Sequence, residues 1–329
     1  MSVRILQGDC RDVLKSLPDE SVHCVVTSPP YWGLRDYGVD GQLGLELTPA
    51  GYVETMTAVF ADARRVLRND GTLWLNLGDS YARMQEGNVP QSKNKDCPPP
   101  FMAGRVKNAG LKPKDLVGIP WRVAFALQED GWYLRSEITW CKRAPMPESV
   151  QDRPTSATEK IFLMSKSERY WYDSDAVRET SIEPQWESRL LRSSDKSKPT
   201  EQVNGIRQRT DKQRGHSRRH AGFNDRWDAM EKTEQQAGGR NMRNWWLLGP
   251  EPFPEAHFAT FPSEVPQRCI LAGCPAGGVV LDPFGGAGTT GLVADRMGRD
   301  AILIELNPEY ADMARKRIVA DGPLFADVA

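Results

Sequence analysis

No stretch of the 329 residues approaches the run of about 18 apolar positions that a membrane-spanning helix needs. The opening residues, MSVRILQGDCRDV, lack an apolar signal core. These two absences set the expectation of a cytoplasmic chain with no membrane partner. Cysteine is scarce: the six (Cys10, Cys24, Cys97, Cys141, Cys269 and Cys274) form no Cys-x-x-Cys and no Cys/His spacing suited to zinc. Reduced thiols and no metal site are therefore expected. Net charge is lacking as well, with 43 Lys and Arg against 44 Asp and Glu, so nothing global announces a nucleic-acid partner. There is no internal repeat.

The chain is 39% hydrophobic and 9% aromatic with 10 Trp, the composition of a globular enzyme rather than a disordered chain. Its charge is uneven. Residues 183–244 hold 14 Lys and Arg against 9 Asp and Glu, centred on GIRQRTDKQRGHSRRH at 205–220. A charge run is commonly only a solvated face, so by itself it leaves DNA contact open.

Apolar periodicity points to an α/β fold. Residues 3–7 and 22–27 read as strands around a short helix, RDVLKSLP. Residues 48–69 read as a longer helix capped by Thr48, opened by Pro49 and stopped by Gly71. Strands are expected at 72–77, 132–141, 159–166, 279–282 and 301–305. Helices are expected near 121–129, 262–272 and 289–297, and from the Asn307-Pro308 cap to about 319. Residues 83–115 read as a loop. Residues 181–244, poor in apolar residues, read as an inserted region or a small appended domain, partly disordered.

LDPFGGAGTTG (281–291) contains G-x-G-x-x-G at Gly286, Gly288 and Gly291. A strand precedes it, a helix follows, and Glu305 ends the next strand. Glycines admit a ligand to the backbone and the helix N-terminus, and a carboxylate one strand over can hold two ribose hydroxyls. No Lys-Ser/Thr follows, so this is not a P-loop. About 24 residues remain after Glu305, too few for the second half of a dinucleotide fold. The sheet must be completed by the N-terminal strands, which makes a circularly permuted, doubly wound, Rossmann-like sheet. VVTSPPYW (25–32) then ends a strand near the glycine loop, and the two face one crevice.

At these residues the sequence resembles the S-adenosylmethionine-dependent DNA amino-methyltransferases that act on cytosine N4 or adenine N6. Thr-Ser-Pro-Pro-Tyr (27–31) is similar to their catalytic motif in its N4-cytosine form, and 281–291 to their cofactor motif. The order of motifs resembles the permuted β group. The resemblance covers about 3–180 and 245–320. It implies residues 1–180 as a catalytic half, 181–244 as an inserted target-recognition region and 245–329 as an S-adenosylmethionine-binding half.

By that resemblance Ser28 and the carbonyl of Pro29 accept from the amino group of a flipped base, Pro30 stiffens the turn, and Tyr31 stacks on the base. Asp282 would approach the methionine amino group. Phe284, Gly286, Gly288, Thr289 and Thr290 would line the cofactor, and Glu305 would hold the ribose. Asp9 and Cys10 would lie on the adenine side, unless Asp9 only caps its helix, and Phe261 and Ser263 would close over the methionine end. Arg207, Arg209, Arg214, Arg218, Arg219 and Arg243 become candidates for duplex DNA, with Asn241 and Trp245 at the edge. A restriction endonuclease partner, or none, and a homodimer both fit.

Cytosine C5 chemistry needs a Pro-Cys nucleophile, and no cysteine here follows a proline. The expectation is a sequence-specific enzyme making N4-methylcytosine. Adenine N6 on the same scaffold is the near alternative. A nicotinamide (NAD)-dependent oxidoreductase and a non-catalytic DNA-binding protein are more remote ones.

Overall fold

In a computed structural model of the chain, residues 2–82, 111–179, 239–249, 251, 261–322 and 327–328 are described. Two compact units divide it: Met1–Asp173 together with Arg243–Ala329, and Ser174–Met242. In the second unit, Glu179 and Arg240 form an antiparallel bridge and an ion pair at 3.1 Å.

The first unit is built on β1 (Ser2–Gln7), α1 (Cys10–Ser16), β2 (Val22–Thr27), α2 (Pro49–Val66), β3 (Leu67–Leu77), α3 (Ile119–Glu129), β4 (Tyr133–Lys142) and β5 (Thr158–Ser165). After the second unit come β6 (Trp245–Leu248), α4 (Glu264–Gly273), β7 (Val279–Asp282), α5 (Thr289–Arg296), β8 (Asp300–Glu305), α6 (Pro308–Asp321) and β9 (Asp327–Val328). The strands form one sheet in the order β6-β4-β5-β3-β2-β7-β8-β1-β9. Only β5 runs antiparallel to its neighbours, β3 and β4.

The permuted closure is written in the register. β1 lies along β8 from Val3↔Ala301 to Gln7↔Glu305, and β2 lies along β7 through Val25↔Leu281. β2 is apolar at nearly every position because it is covered on both faces, as a parallel strand requires. On α2 the buried residues Tyr52, Met56, Val59, Phe60, Ala63 and Val66 recur every three or four positions, which gives the helix one core face. The Thr48 hydroxyl accepts from Gly51 N–H at 3.0 Å, and on α6 the Asn307 side chain accepts from Glu309 N–H at 2.9 Å, so both caps form as expected.

Two boundaries differ from expectation. α2 stops at Val66 and β3 starts at once at Leu67, five residues before the expected strand. Gly71 is not a helix stop; it lies inside β3, where an added Cβ would meet Leu67 Cγ at 2.6 Å and the His23 carbonyl at 2.9 Å. Trp245, read at the edge of the inserted region, opens Trp245–Leu248, an edge strand on β4 with Trp246 and Leu248 buried. Among the described residues no helix is long and apolar enough to cross a membrane.

Candidate active site

Parallel strands aim their carboxyl ends the same way, and the loops leaving β1, β2, β7 and β8 border one crevice. Gly8, Asp9 and Cys10 come from β1, Ser28 to Tyr31 from β2, Asp282 to Ala287 from β7, and Glu305 to Asn307 from β8. Two motifs 255 positions apart in the chain are thereby joined, since Thr27 Oγ1 donates to Asp282 Oδ1 at 2.6 Å.

The three motif glycines have different reasons to be glycine. Gly286 has φ +51, and an added Cβ would meet nothing closer than the Phe284 carbonyl at 3.9 Å, so its space opens onto the crevice. At Gly288, φ +77, a Cβ would press on Ala314 of α6 at 2.8 Å; at Gly291 it would meet Leu303 of β8 at 2.7 Å. Those two admit helix and strand rather than ligand. Gly288 and Thr290, expected along the cofactor, are therefore reassigned to packing. Thr290 is fully buried, and its hydroxyl donates to Asp282 Oδ2 at 2.6 Å.

Asp282 lines the crevice and also joins elements of the sheet. Its side chain is buried, and Thr27, Thr290 and the N–H of Phe284 (3.1 Å) already donate to the carboxylate. Asp282 borders the crevice and bolts β2, β7 and α5 together. Burial pushes its carboxyl up, opposed by the three hydrogen bonds. Ser263 does not border the crevice either: its hydroxyl and N–H both donate to Glu251, whereas Phe261 does line the crevice.

Glu305 lines the crevice at the end of β8. Its Oε2 accepts from Gly286 N–H at 2.7 Å and its Oε1 from Asn307 N–H at 2.8 Å. Each oxygen keeps a second lone pair, the acceptor set that a ribose diol fits. Burial pushes this carboxyl up, with backbone donors from Asn307, Gly286 and Leu306 opposing. Asp9 caps α1 through Arg11 N–H at 2.9 Å and pairs with the Arg11 side chain, which holds its carboxyl below the usual range. It lines the crevice all the same, beside Cys10, whose thiol burial pushes up to about 12. Tyr37 and Tyr310, absent from the sequence reading, meet edge to face at 6.5 Å on the wall. Together with Phe284 and Thr289, these residues fit a nucleoside cofactor.

On the β2 side, Tyr52 donates its hydroxyl to the Pro30 carbonyl at 2.9 Å and fixes the turn. Among the described residues the Pro29 carbonyl has no protein donor, and Pro29 is one of the residues that line the crevice. Behind Ser28 is a polar cluster that motif reading missed. Ser28 Oγ lies 3.2 Å from the Tyr31 hydroxyl, which donates to Glu159 Oε2 at 2.6 Å. Asn76 Nδ2 donates to Tyr31 and to Glu159, both at 2.9 Å, and Lys142 pairs with Glu159 at 2.6 Å. Burial, and next the Glu159 charge, push the Tyr31 phenol up.

The Tyr31 ring needs Gly78 behind it: a Cβ there would sit 2.5 Å from Tyr31 Cε2. Gly78→Ala is expected to push the ring toward the crevice and slow the reaction by about 10- to 100-fold, the scale of a 1 Å misplacement. Single-turnover rates measured beside cofactor affinity check this; unchanged rates would mean the ring position does not matter.

Of the expected DNA contacts, Arg207, Arg209, Arg214, Arg218 and Arg219 lie outside the described residues. Arg243 lies over the Trp245 ring at 4.7 Å, where β6 begins.

The sequence pattern of the N6/N4 DNA methylase family matches residues 22–316. The type II methyltransferase M.Cfr9I of Citrobacter freundii is 44% identical, over 95% of this chain and 87% of that protein. M.SmaI of Serratia marcescens, also a type II methyltransferase, is 41% identical, over 97% and 91%. Among solved structures, the PvuII cytosine-N4-specific DNA methyltransferase superposes with a TM-score of 0.57 at 20% identity, covering 97% and 92% of the two chains. A Thermus thermophilus protein solved in complex with S-adenosyl-L-methionine gives 0.58 at 23% identity, covering 99% and 97%. These two structural likenesses bear on the fold. With the family pattern spanning most of the chain and a crevice fitted to a nucleoside cofactor, the chain belongs to the N6/N4 family of S-adenosylmethionine-dependent, site-specific DNA methyltransferases.

Proposed function

We propose that this enzyme methylates the exocyclic N4 of a cytosine flipped out of duplex DNA. The observation that carries the reading is serine at position 28, between Thr27 and Pro29-Pro30-Tyr31, with its side chain on the crevice that Glu305 and Gly286 also border. S-adenosylmethionine, when bound, supplies an electrophilic methyl group on a sulfonium.

The protein's task is to make a poor nucleophile react. The amino lone pair is delocalised into the base ring, and bond formation requires the nitrogen to pyramidalise and take up positive charge. Acceptors aimed at its two hydrogens favour that state, an electrostatic effect of the oxyanion-hole type with the sign reversed. Ser28 Oγ and the Pro29 carbonyl are those acceptors. Proline fixes φ near −65° and so holds the carbonyl in place. The Tyr31 ring stacks on the base, and the transfer rests on positioning. Residues 181–244, with Arg207, Arg209, Arg214, Arg218 and Arg219, supply phosphate and base contacts, and Arg243 stands at their border.

Nucleoside mass spectrometry of DNA methylated by the pure enzyme tests the choice of base. N4-methyldeoxycytidine is expected. N6-methyldeoxyadenosine alone would overturn it.

A further inference from the structure

A carboxylate has no hydrogen to give, so the direction of every bond in the cluster behind Ser28 follows from Glu159. The Tyr31 hydroxyl, 2.6 Å from Glu159 Oε2, must donate to it. Having only one hydrogen, that hydroxyl can then only accept from Ser28 Oγ at 3.2 Å and from Asn76 Nδ2 at 2.9 Å. The Ser28 hydrogen thus points inward, away from the base, which leaves an Oγ lone pair to face outward. The amide of Asn76 is fixed the same way. It is 3% exposed; turned over, it would set its oxygen against the Glu159 carboxylate at 2.9 Å, and as oriented it leaves Oδ1 buried without a donor. The cluster accepts an unsatisfied oxygen in order to keep the two Nδ2 hydrogens shared among Ser28, Tyr31 and Glu159.

We infer that Ser28, Tyr31 and Glu159 form a proton relay that takes up the hydrogen lost by the base amino group. The inference rests on the assignment of Ser28 as acceptor. As the nitrogen lone pair forms the new bond to the methyl carbon, the carbon–sulfur pair stays on sulfur, and the nitrogen becomes cationic until it sheds a proton. That proton passes to Ser28 Oγ, the Ser28 hydrogen to the Tyr31 oxygen, and the Tyr31 hydrogen to Glu159 Oε2. The products are a neutral methylamino base and a neutral carboxylic acid. Glu159 returns its proton to water beside Lys142, whose side chain is one-third exposed. Tyr31 therefore has two separable parts: the ring stacks, and the hydroxyl conducts. Ser28 touches the base, and Glu159 acts through the two hydroxyls.

Single-turnover methyl transfer to unmethylated DNA, at saturating cofactor and across pH, tests the relay in Tyr31→Phe, Glu159→Gln and the double variant. Melting temperature and cofactor and DNA affinity are read alongside. Each single variant is expected to slow transfer by about 100-fold, the scale of a lost general base, with affinities held within about twofold. The double variant should be no slower than either single one, since both cut the same path. Wild-type rates in Tyr31→Phe or in Glu159→Gln would overturn the relay. A slowing that merely follows a loss of melting temperature would also overturn it, making Glu159 a brace. If Ser28→Ala transfers at the wild-type rate, the assignment of Ser28 itself fails, whatever the other variants do.

Discussion

Ser28→Ala is expected to lower the rate of methyl transfer by about 100- to 1,000-fold, or about 3–4 kcal/mol of transition-state stabilisation, while cofactor and DNA binding stay near wild type. The size follows from timing. The amino hydrogens are poor donors while the lone pair is conjugated and strong ones once the nitrogen carries charge, so the lost interaction belongs mainly to the transition state. Stability should scarcely change. Ser28 stands just beyond the end of β2, and its contacts to Tyr31 and Asn76 are long, 3.2 and 3.4 Å. Rapid-quench single turnovers with labelled cofactor give the rate, and equilibrium titration gives both affinities. A variant that lost affinity in proportion to rate would show that Ser28 holds substrate instead of activating it.

Glu305→Gln is expected to weaken S-adenosylmethionine binding by about 100-fold, since each hydroxyl-to-carboxylate bond contributes about 1.5 kcal/mol and two are altered. Glutamine keeps the size of the side chain and one acceptor, so a collapse of the loop is not the expected cause. The same residue gives the wild type a pH dependence. Only the ionised carboxylate offers acceptors to both ribose hydroxyls, and burial raises its pKa above the ordinary value. Affinity should therefore be full at alkaline pH and decline as pH falls through that raised value, sooner than for an exposed glutamate. Calorimetric titrations from about pH 8 down to about pH 5 test this. A wild-type affinity flat across the range, or one that Glu305→Gln shares at every pH, would remove Glu305 from the cofactor site.

The parts legible in the sequence are those carried by local chemistry or by chain order. Thr48 and Asn307 cap their helices as short-range rules require. The permuted sheet, expected from the order of strands and motifs along the chain, is borne out by the β1–β8 and β2–β7 registers. The cluster behind Ser28 was illegible for a physical reason. Asn76 and Glu159 lie on antiparallel neighbours, 83 positions apart in the chain, and meet only because β3 pairs Asn76 with Ile161. Nothing local marks either residue. Gly288, Thr290 and Asp282 carry another ambiguity: a motif records that residue types are required, not whether ligand or scaffold requires them. Gly71 shows the same ambiguity inside a strand, where close packing asked for glycine and the sequence read as a helix end.

The pairing of β2 with β7 also sets a schedule for assembly. Val25 must find Leu281, and Thr27 must find Asp282, so the central seam of the sheet closes only after more than 250 further residues have been made. Loop-closure entropy has to be met before this seam is rewarded, which makes such non-local parallel pairing slow. Until then β2, apolar on both faces, has one unpaired edge and is a site for wrong pairing. The ordering has a useful side. The catalytic turn and the glycine loop become a single crevice in that last event, so a nascent chain carries no working methyltransferase site.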